Sequence, residues 1–140
     1  MASYGISLNY VAILVAAVVT FAFGMVWYNP MLFGKQWMAA HAYTPEQVAA
    51  MQREMPKTYG ISFITYLVMS AGVAIFIGLT GIVRWQGGLK LGGLIWLMFV
   101  ATTGLTMNLF SGKKMATWLI DAGYQLVCLA AMGAILAAWR

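Results

Sequence analysis

The sequence predicts an all-α integral membrane protein: a four-helix transmembrane bundle with a short amphipathic or interfacial helix between spans one and two. Of its 140 residues, 63% are hydrophobic and 8% are charged, against roughly 45–50% and 25% in soluble domains. Four apolar runs are long enough to cross a bilayer, and polar or glycine-containing breaks separate them. A soluble domain of this size could not bury so much apolar surface.

The spans follow from length. A helix needs about 20 mainly apolar residues to cross a hydrocarbon core about 30 Å thick. Segments at about 8–28, 59–80, 91–110 and 115–139 meet this requirement. The first has no Lys/Arg start and is longer than the apolar core of a secretory signal, so we expect a retained span. We therefore predict a single transmembrane domain over residues 1–140.

The connection at 30–58 is too long for a plain turn. In it, Thr44 can cap a helix, Pro45 suits the first helical position, and Gln47 completes a capping box. Residues at spacings of three and four then form a narrow apolar stripe, and Pro56 is expected to end the helix. The stripe consists of Val48, Met51 and Met55. This pattern favours a short helix on the membrane or against the bundle over an exposed loop.

The later breaks, "GIVRWQGGLK" and "SGKK", are short, charged and glycine-containing, as helix hairpin turns are.

An even number of spans places both termini on one side. One face carries five basic residues (Lys35, Arg53, Lys57, Lys113, Lys114) and the other carries three (Arg84, Lys90, Arg140). The excess favours the five-residue face as cytoplasmic, with both termini outside the bacterial inner membrane.

Small residues at helical spacing predict the packing seams, because membrane helices associate by close contact. The seams are Ala12, Ala16, Thr20 and Gly24 on the first span, Ser70, Ala74 and Gly78 on the second, and Gly123, Ala130, Gly133, Ala134 and Ala137 on the fourth.

Several functions lack sequence support. The basic residues form no stripe of the kind that binds nucleic acid. Cys128 is the single cysteine and His41 the single histidine, so we expect no metal site and no cofactor. A solvated loop position is expected for His41. Familiar catalytic motifs are absent, and we predict that the protein is not an enzyme.

Asp121 is the sharpest single feature. It lies seven positions beyond Lys114, which places it about 10 Å inside the fourth helix. A carboxylate at the centre of a span costs on the order of 2.5–3.5 kcal/mol on insertion scales. Thr117 and Tyr124 lie on the same side of the helix. Asp121 is interpreted first as a polar clasp between helices, and second as a proton or cation site.

The stretch "GMVWYNPMLFGKQW" at 24–37 shares a membrane face with Asp121. We predict a polar pocket there, formed by Asp121, Tyr124, Asn108, Asn29, Lys35 and Lys113. An aromatic motif of Trp27, Tyr28, Phe33 and Trp37 would cap it. The plainer alternative is an interfacial aromatic belt with lysines reaching the headgroups. The Asn29-Pro30 pair indicates a helix end whose free carbonyls need donors such as Lys35 or Asn108.

The chain also resembles a known family. The matching pieces are Asn9, "GMVWYNPMLFGKQW", "FVATTGLTMNLFSGKK" and "LIDAGYQLVCLAAMGAILAAWR". They are similar to the bacterial membrane family catalogued as domain of unknown function 1761. The resemblance implies a small four-span protein and assigns no activity. Its motif positions here are Trp27, Tyr28, Pro30, Phe33, Gly34, Trp37, Asn108, Phe110, Asp121, Gly123 and Tyr124.

The leading functional hypothesis is a non-enzymatic inner-membrane protein that works as a homo-oligomer or as an accessory subunit of another membrane protein. Small-residue seams offer surfaces for such association. The alternative is a small oligomeric transporter or channel with Asp121 as the proton- or ion-linked residue. A lipid- or quinone-handling enzyme is a weaker third. The expected partners are the bilayer and a second protein chain, with no nucleic acid.

Overall fold

A computed structural model describes residues 5–140; residues 1–4 of the predicted domain lie outside the described residues. The helices are α1 Tyr10–Trp27, α2 Gly34–His41, α3 Pro45–Arg53, α4 Met55–Thr80, α5 Trp85–Ile95, a π-helical segment Trp96–Ala101, α6 Thr102–Phe110 and α7 Met115–Ala138. Within residues 5–140 no strand is present. The predicted all-α class is confirmed.

Four of these helical stretches are long and apolar enough to cross a membrane. They are Tyr10–Trp27, Met55–Thr80, Trp85–Phe110 and Met115–Ala138. The second and third begin earlier than the predicted spans at 59 and 91, because each includes a polar first turn that the apolar run does not contain.

The connection between α1 and α4 holds two short helices where one was expected. The capping box of α3 is confirmed: Gln47 N donates to Thr44 Oγ1 at 3.2 Å, and Thr44 N donates to Gln47 Oε1 at 2.8 Å. The prediction that Pro56 ends this helix is wrong. α3 ends at Arg53, and Pro56 lies in the first turn of α4, where a missing N–H costs nothing.

α5 and α7 cross most closely, through glycines. A Cβ at Gly88 would overlap the carbonyl oxygen of Gly133, and a Cβ at Gly92 would overlap that of Leu129. Backbones can approach this closely only where no side chain intervenes. The sequence placed Gly88 in a hairpin turn, which is wrong, since α5 already begins at Trp85.

The buried core lies at the same end of the bundle as this crossing. It consists of Ala12, Ile13, Ala16, Val73, Ile77, Leu129, Met132, Leu136 and Ala137. The predicted seam on α1 is confirmed for Ala12, Ala16 and Thr20, which are buried. Ser70 of α4 is also buried and donates from Oγ to the carbonyl of Ile13 at 2.9 Å. One end of the bundle is therefore closely packed, and the candidate site lies toward the other end.

Candidate functional site

Asp121 accepts two hydrogen bonds from the segment that follows α1. The Tyr28 hydroxyl donates to Asp121 Oδ1 at 2.5 Å, and Trp37 Nε1 of α2 donates to the same oxygen at 3.0 Å. Both donors are neutral side chains. Both bonds are made to Oδ1, and no hydrogen bond to Oδ2 is present within residues 5–140. The carboxylate is therefore anchored through one oxygen without being paired to a protein cation.

Three indoles hold α7 at three consecutive residues. Trp27 Nε1 of α1 donates to the carbonyl of Ile120 at 3.1 Å. Trp37 Nε1 donates to the Asp121 side chain, as above, and Trp96 Nε1 of the π-helical segment donates to the carbonyl of Ala122 at 2.7 Å. Since the three donors come from different elements, together they set the rotation of α7 about its axis and the direction of Asp121.

A tight turn brings Tyr28 and Trp37 to the same carboxylate. Leu32 N and Gly34 N both donate to the carbonyl of Asn29, and Phe33 N donates to that of Trp27. A Cβ at Gly34 would overlap the carbonyl of Tyr28, so glycine is required there. The expectation that Lys35 or Asn108 would satisfy these carbonyls is wrong.

The larger cavity beside Asp121, here named the aromatic cavity, has a volume of about 570 Å³ and lies between α1, α4 and α7. Its wall includes six aromatic residues and one carboxylate. The lining residues are Phe21, Gly24, Met25, Tyr28, Asn29, Pro30, Trp37, Thr58, Tyr59, Ser62, Tyr66, Asp121 and Tyr124. This volume lies in the range of about 300–1,000 Å³ that is typical of small-molecule sites.

A second space, the polar cavity, has a volume of about 250 Å³. Its lining residues are Val100, Gly104, Met107, Asn108, Ser111, Lys113, Thr117, Trp118, Asp121, Ala122 and Gln125. Thr117 Oγ1 and Gln125 Oε1 are buried and have no partner among the described residues. Buried polar atoms are usually hydrogen-bonded, and the cavity is large enough for water to supply those bonds.

The predicted polar pocket is thus divided between two cavities that share Asp121. Tyr124 and Asn29 line the aromatic cavity. Asn108 and Lys113 line the polar cavity, where Asn108 Nδ2 donates to the carbonyl of Lys113 at 3.2 Å. Lys35 lines neither and is exposed on α2.

Tyr124 lines the aromatic cavity and also connects α7 to α1. Its hydroxyl donates to the carbonyl of Thr20 at 2.8 Å and lies 3.2 Å from the Tyr66 hydroxyl. A Cβ at Gly24 would lie 2.8 Å from the Tyr124 oxygen. Gly24 therefore leaves the space that the Tyr124 hydroxyl fills between α1 and α7.

The aromatic motif does two different things. Phe33 packs against Trp27, with ring centroids 4.6 Å apart, and supports the Trp27 bond to α7. Trp37 lies between Tyr28 and His41, with centroid distances of 5.9 Å and 4.2 Å. Two of the four residues therefore contact the carboxylate, and the other two form the packing behind it.

His41 does not occupy the solvated position expected from the sequence. Its ring stacks on Tyr43 at 4.8 Å, and its Nε2 is buried without a partner among the described residues. Burial and the positive charge of Lys113 lower the pKa of His41 from its ordinary value, while Asp121 opposes this shift. The imidazole is therefore more easily kept neutral than a free histidine.

Sequence reasoning missed the α1 and α4 walls of the aromatic cavity. Phe21 lies on α1 one turn before Gly24, and Tyr59, Ser62 and Tyr66 follow one face of α4. The spacing of three and then four residues from Tyr59 to Tyr66 was the available signal. It was missed because aromatic residues near a span end are also typical of an interfacial belt.

The described residues contain no group of three or more His, Cys, Asp or Glu side chains that could hold a metal ion. What the arrangement offers is a partly buried carboxylate with an aromatic cavity on one side and a polar one on the other.

Fold and site together define the class: an all-helical protein with four helices long and apolar enough to cross a membrane, and one carboxylate between two cavities. A family model described as "Protein of unknown function (DUF1761)" matches residues 11–137, and the chain belongs to this family. The resemblance noted in the sequence is confirmed. No curated protein and no solved structure matches the chain.

Proposed function

We propose that this chain is a multi-pass membrane protein that binds and transports a small solute, with Asp121 as the proton- or ion-linked residue. One observation carries the proposal: Asp121 forms part of the wall of both cavities. A residue in that position can contact a solute in one cavity and exchange a proton with water in the other. The proposal includes no catalysed reaction.

Membrane insertion is part of the proposal. Its support is the length and apolarity of the four helices together with the large apolar side chains on their outer surfaces, such as Val68, Leu97 and Phe99. Exposing these apolar side chains to water would cost free energy, whereas lipid solvates them. The proposed location is the bacterial inner membrane, where the distribution of basic residues favours an orientation with both termini outside.

The polar cavity supports the proton-linked role. Thr117, Asp121 and Gln125 follow one another at four-residue spacing on α7 and all line this cavity. Two of them have buried oxygens without a hydrogen-bond partner among the described residues, and water in the cavity could supply one. Ionisable residues inside a span usually face a water-filled space when they exchange protons. The aromatic cavity, in contrast, has mainly apolar walls in which a solute can replace water.

The test is proton flux in proteoliposomes that contain a pH-sensitive dye. With an imposed membrane potential and pH gradient, we expect the wild-type chain to raise the proton flux above that of empty liposomes. Asp121→Asn should abolish the increase, since an amide cannot bind and release a proton. Its Oδ1 still accepts hydrogen bonds from Tyr28 and Trp37, so the fold should persist.

Glu46→Gln is the matched control, because Glu46 lies exposed on α3 outside both cavities and undergoes the same chemical change. It should keep the wild-type flux. The proton-linked role of Asp121 is contradicted if the wild-type chain adds no flux, or if Asp121→Asn leaves it unchanged. A loss of thermal stability in Asp121→Asn without any flux in the wild type would identify Asp121 as a packing clasp instead.

Self-association, the leading expectation from the sequence, is compatible with this role, and a specific surface favours it. Gly60, Ile64, Val68 and Gly72 lie at four-residue spacing on α4. A Cβ at Gly60 or Gly72 would meet no atom within 4 Å. Neither glycine packs closely against another segment among residues 5–140, and small residues on an outer ridge let a second helix approach closely. We propose a homo-oligomer that associates through this ridge.

A further inference from the structure

We infer that the aromatic cavity binds an alkylated ammonium group, held by aromatic rings and by the Asp121 carboxylate. The inference rests on the proposed function, since Asp121 is the linked residue in both, and it adds the chemical class of the ligand. The group belongs either to a free organic cation or to the headgroup of a choline lipid.

The rings form a continuous arc around the cavity. In order they are Tyr59, Phe21, Tyr66, Tyr124, Tyr28 and Trp37. The centroid distances between successive rings are 5.6, 6.5, 6.5, 5.4 and 5.9 Å. A cation within about 6 Å of a ring centroid is attracted by the ring quadrupole, most strongly where water is excluded.

The charge of the cavity wall also favours a cation as the ligand. Asp121 is the one charged residue among the described residues that line it. The two hydrogen bonds to its Oδ1 come from a phenol and an indole, which carry no positive charge, and Lys113 lines the polar cavity but not this one. Because a buried charge is costly unless it is paired, the site favours a cation and disfavours an anion.

The hydrogen-bonding groups select the kind of cation. Three of the four tyrosine hydroxyls are already engaged: Tyr28 with Asp121, Tyr124 with the carbonyl of Thr20, and Tyr66 with Tyr124. A primary ammonium needs three acceptors to replace its water. A quaternary ammonium needs none, and its methyl groups pack against ring faces. The volume of about 570 Å³ accommodates such a group together with its substituent.

Choline and 3,3-dimethyl-1-butanol are suitable probes, because they have nearly the same shape and differ in charge. Binding is measured by saturation-transfer NMR with the full chain in a neutral detergent. We expect choline to bind and the neutral alcohol to bind at least about tenfold more weakly. A tenfold difference in affinity corresponds to about 1.4 kcal/mol, which is the size of one cation–π or charge-pair contribution.

Two variants test the two parts of the site. Asp121→Asn should weaken choline binding by removing the charge, and Tyr59→Leu should weaken it by removing a ring that makes no hydrogen bond among the described residues. Tyr10→Leu is the matched control, because Tyr10 is an exposed tyrosine at the start of α1 outside the cavity. It should bind choline as the wild type does.

A second arm distinguishes the source of the cation. Native mass spectrometry after reconstitution in mixed phosphatidylcholine and phosphatidylglycerol nanodiscs reports which lipid the protein retains. Retained phosphatidylcholine that is lost in Asp121→Asn and Tyr59→Leu assigns the ligand to a lipid headgroup. Choline binding without selective lipid retention assigns it to a free cation.

The inference is overturned if the wild type binds neither choline nor phosphatidylcholine, if the neutral alcohol binds as well as choline, or if Tyr10→Leu weakens binding as much as Tyr59→Leu. The outcome is separable from that of the flux experiment. Cation binding without proton flux removes the transport proposal alone, and flux without cation binding removes this inference alone.

Discussion

Asp121 has one oxygen, Oδ1, that accepts two hydrogen bonds and a second, Oδ2, that has no hydrogen-bond partner among residues 5–140. Hydrogen bonds to a charged group contribute about 1.5–3 kcal/mol each, so the bonds from Tyr28 and Trp37 help to offset the cost of a partly buried carboxylate. Both end on Oδ1. These bonds leave Oδ2 available, so the structural clasp and the proton or cation site suggested by the sequence do not exclude each other.

His41 should make stability depend on pH. Burial and Lys113 lower the pKa of His41 in the folded chain, with Asp121 opposing, whereas a histidine in the unfolded chain has a pKa of about 6.5. The unfolded state then binds more protons at and below that pH, so the free energy of unfolding falls as the pH drops through about 6.5. Thermal unfolding in detergent measured across this range should show the decrease.

The control for this prediction is His41→Phe, which keeps an aromatic ring beside Trp37 and Tyr43 but cannot be protonated. The carboxylates titrate in both proteins, so the difference between the two pH profiles isolates the imidazole. We expect a flatter profile for His41→Phe. Parallel profiles for the two proteins would show that His41 has no such effect.

Several site residues could be predicted from the sequence, and the physical reason is their rarity. A carboxylate in an apolar run and an Asn-Pro pair at a span end are conspicuous, so Asp121, Tyr28 and Asn29 were predicted as site residues, and all three line the aromatic cavity. The division into two cavities could not be predicted, because it depends on the rotation of α7. That rotation is set by indole contacts between segments far apart in the chain.

The crossing of α5 and α7 offers a test between adjacent positions. Gly92→Ala should lower stability by about 1–3 kcal/mol, the usual cost of overpacking, because its Cβ overlaps the Leu129 carbonyl. Gly93→Ala should be neutral or slightly stabilising, because its Cβ meets no atom within 4 Å and alanine favours a helix. Both variants are compared with the wild type by thermal unfolding in detergent.

The two variants differ only in which side of the helix receives the methyl group, so helix propensity cancels between them. Equal stability of Gly92→Ala and Gly93→Ala would be incompatible with the close contact described for α5 and α7.

Element boundaries were predictable where a local signal is unambiguous. The capping box at Thr44 and Gln47 is such a signal, and it was predicted correctly. Proline and glycine are less specific. Pro56 can stop one helix or start the next, and Gly88 suits a turn or a close helix crossing. Which role each takes is decided by packing against distant segments, which the local sequence does not contain.

For the whole molecule, the proposed homo-oligomer predicts a particle mass that is a multiple of 15.3 kDa in mild detergents and in nanodiscs. Native mass spectrometry measures it directly. Val68→Trp places a bulky side chain in the middle of the α4 ridge and should shift the particle towards the monomer. Val83→Trp is the control, since Val68 and Val83 are both 68% exposed and Val83 lies in the turn after α4.

A monomeric wild type under all of these conditions would contradict the oligomer. A comparable shift in both variants would show that added bulk, and not the ridge, weakens association. The flux and cation-binding experiments would remain informative in either case, because both cavities lie within a single chain.

The three indole bonds hold α7 in place, whereas the first turns of α4 have no such bonds within residues 5–140. α7 cannot turn about its axis without breaking bonds to Ile120, Asp121 and Ala122 together. Along α4, by contrast, the first hydrogen bond to another helix among the described residues is at Tyr66. From Met55 to Tyr59, α4 is therefore held to α1 by packing, such as that of Tyr59 on Phe21 with ring centroids 5.6 Å apart, and we expect access to the aromatic cavity to depend on that contact.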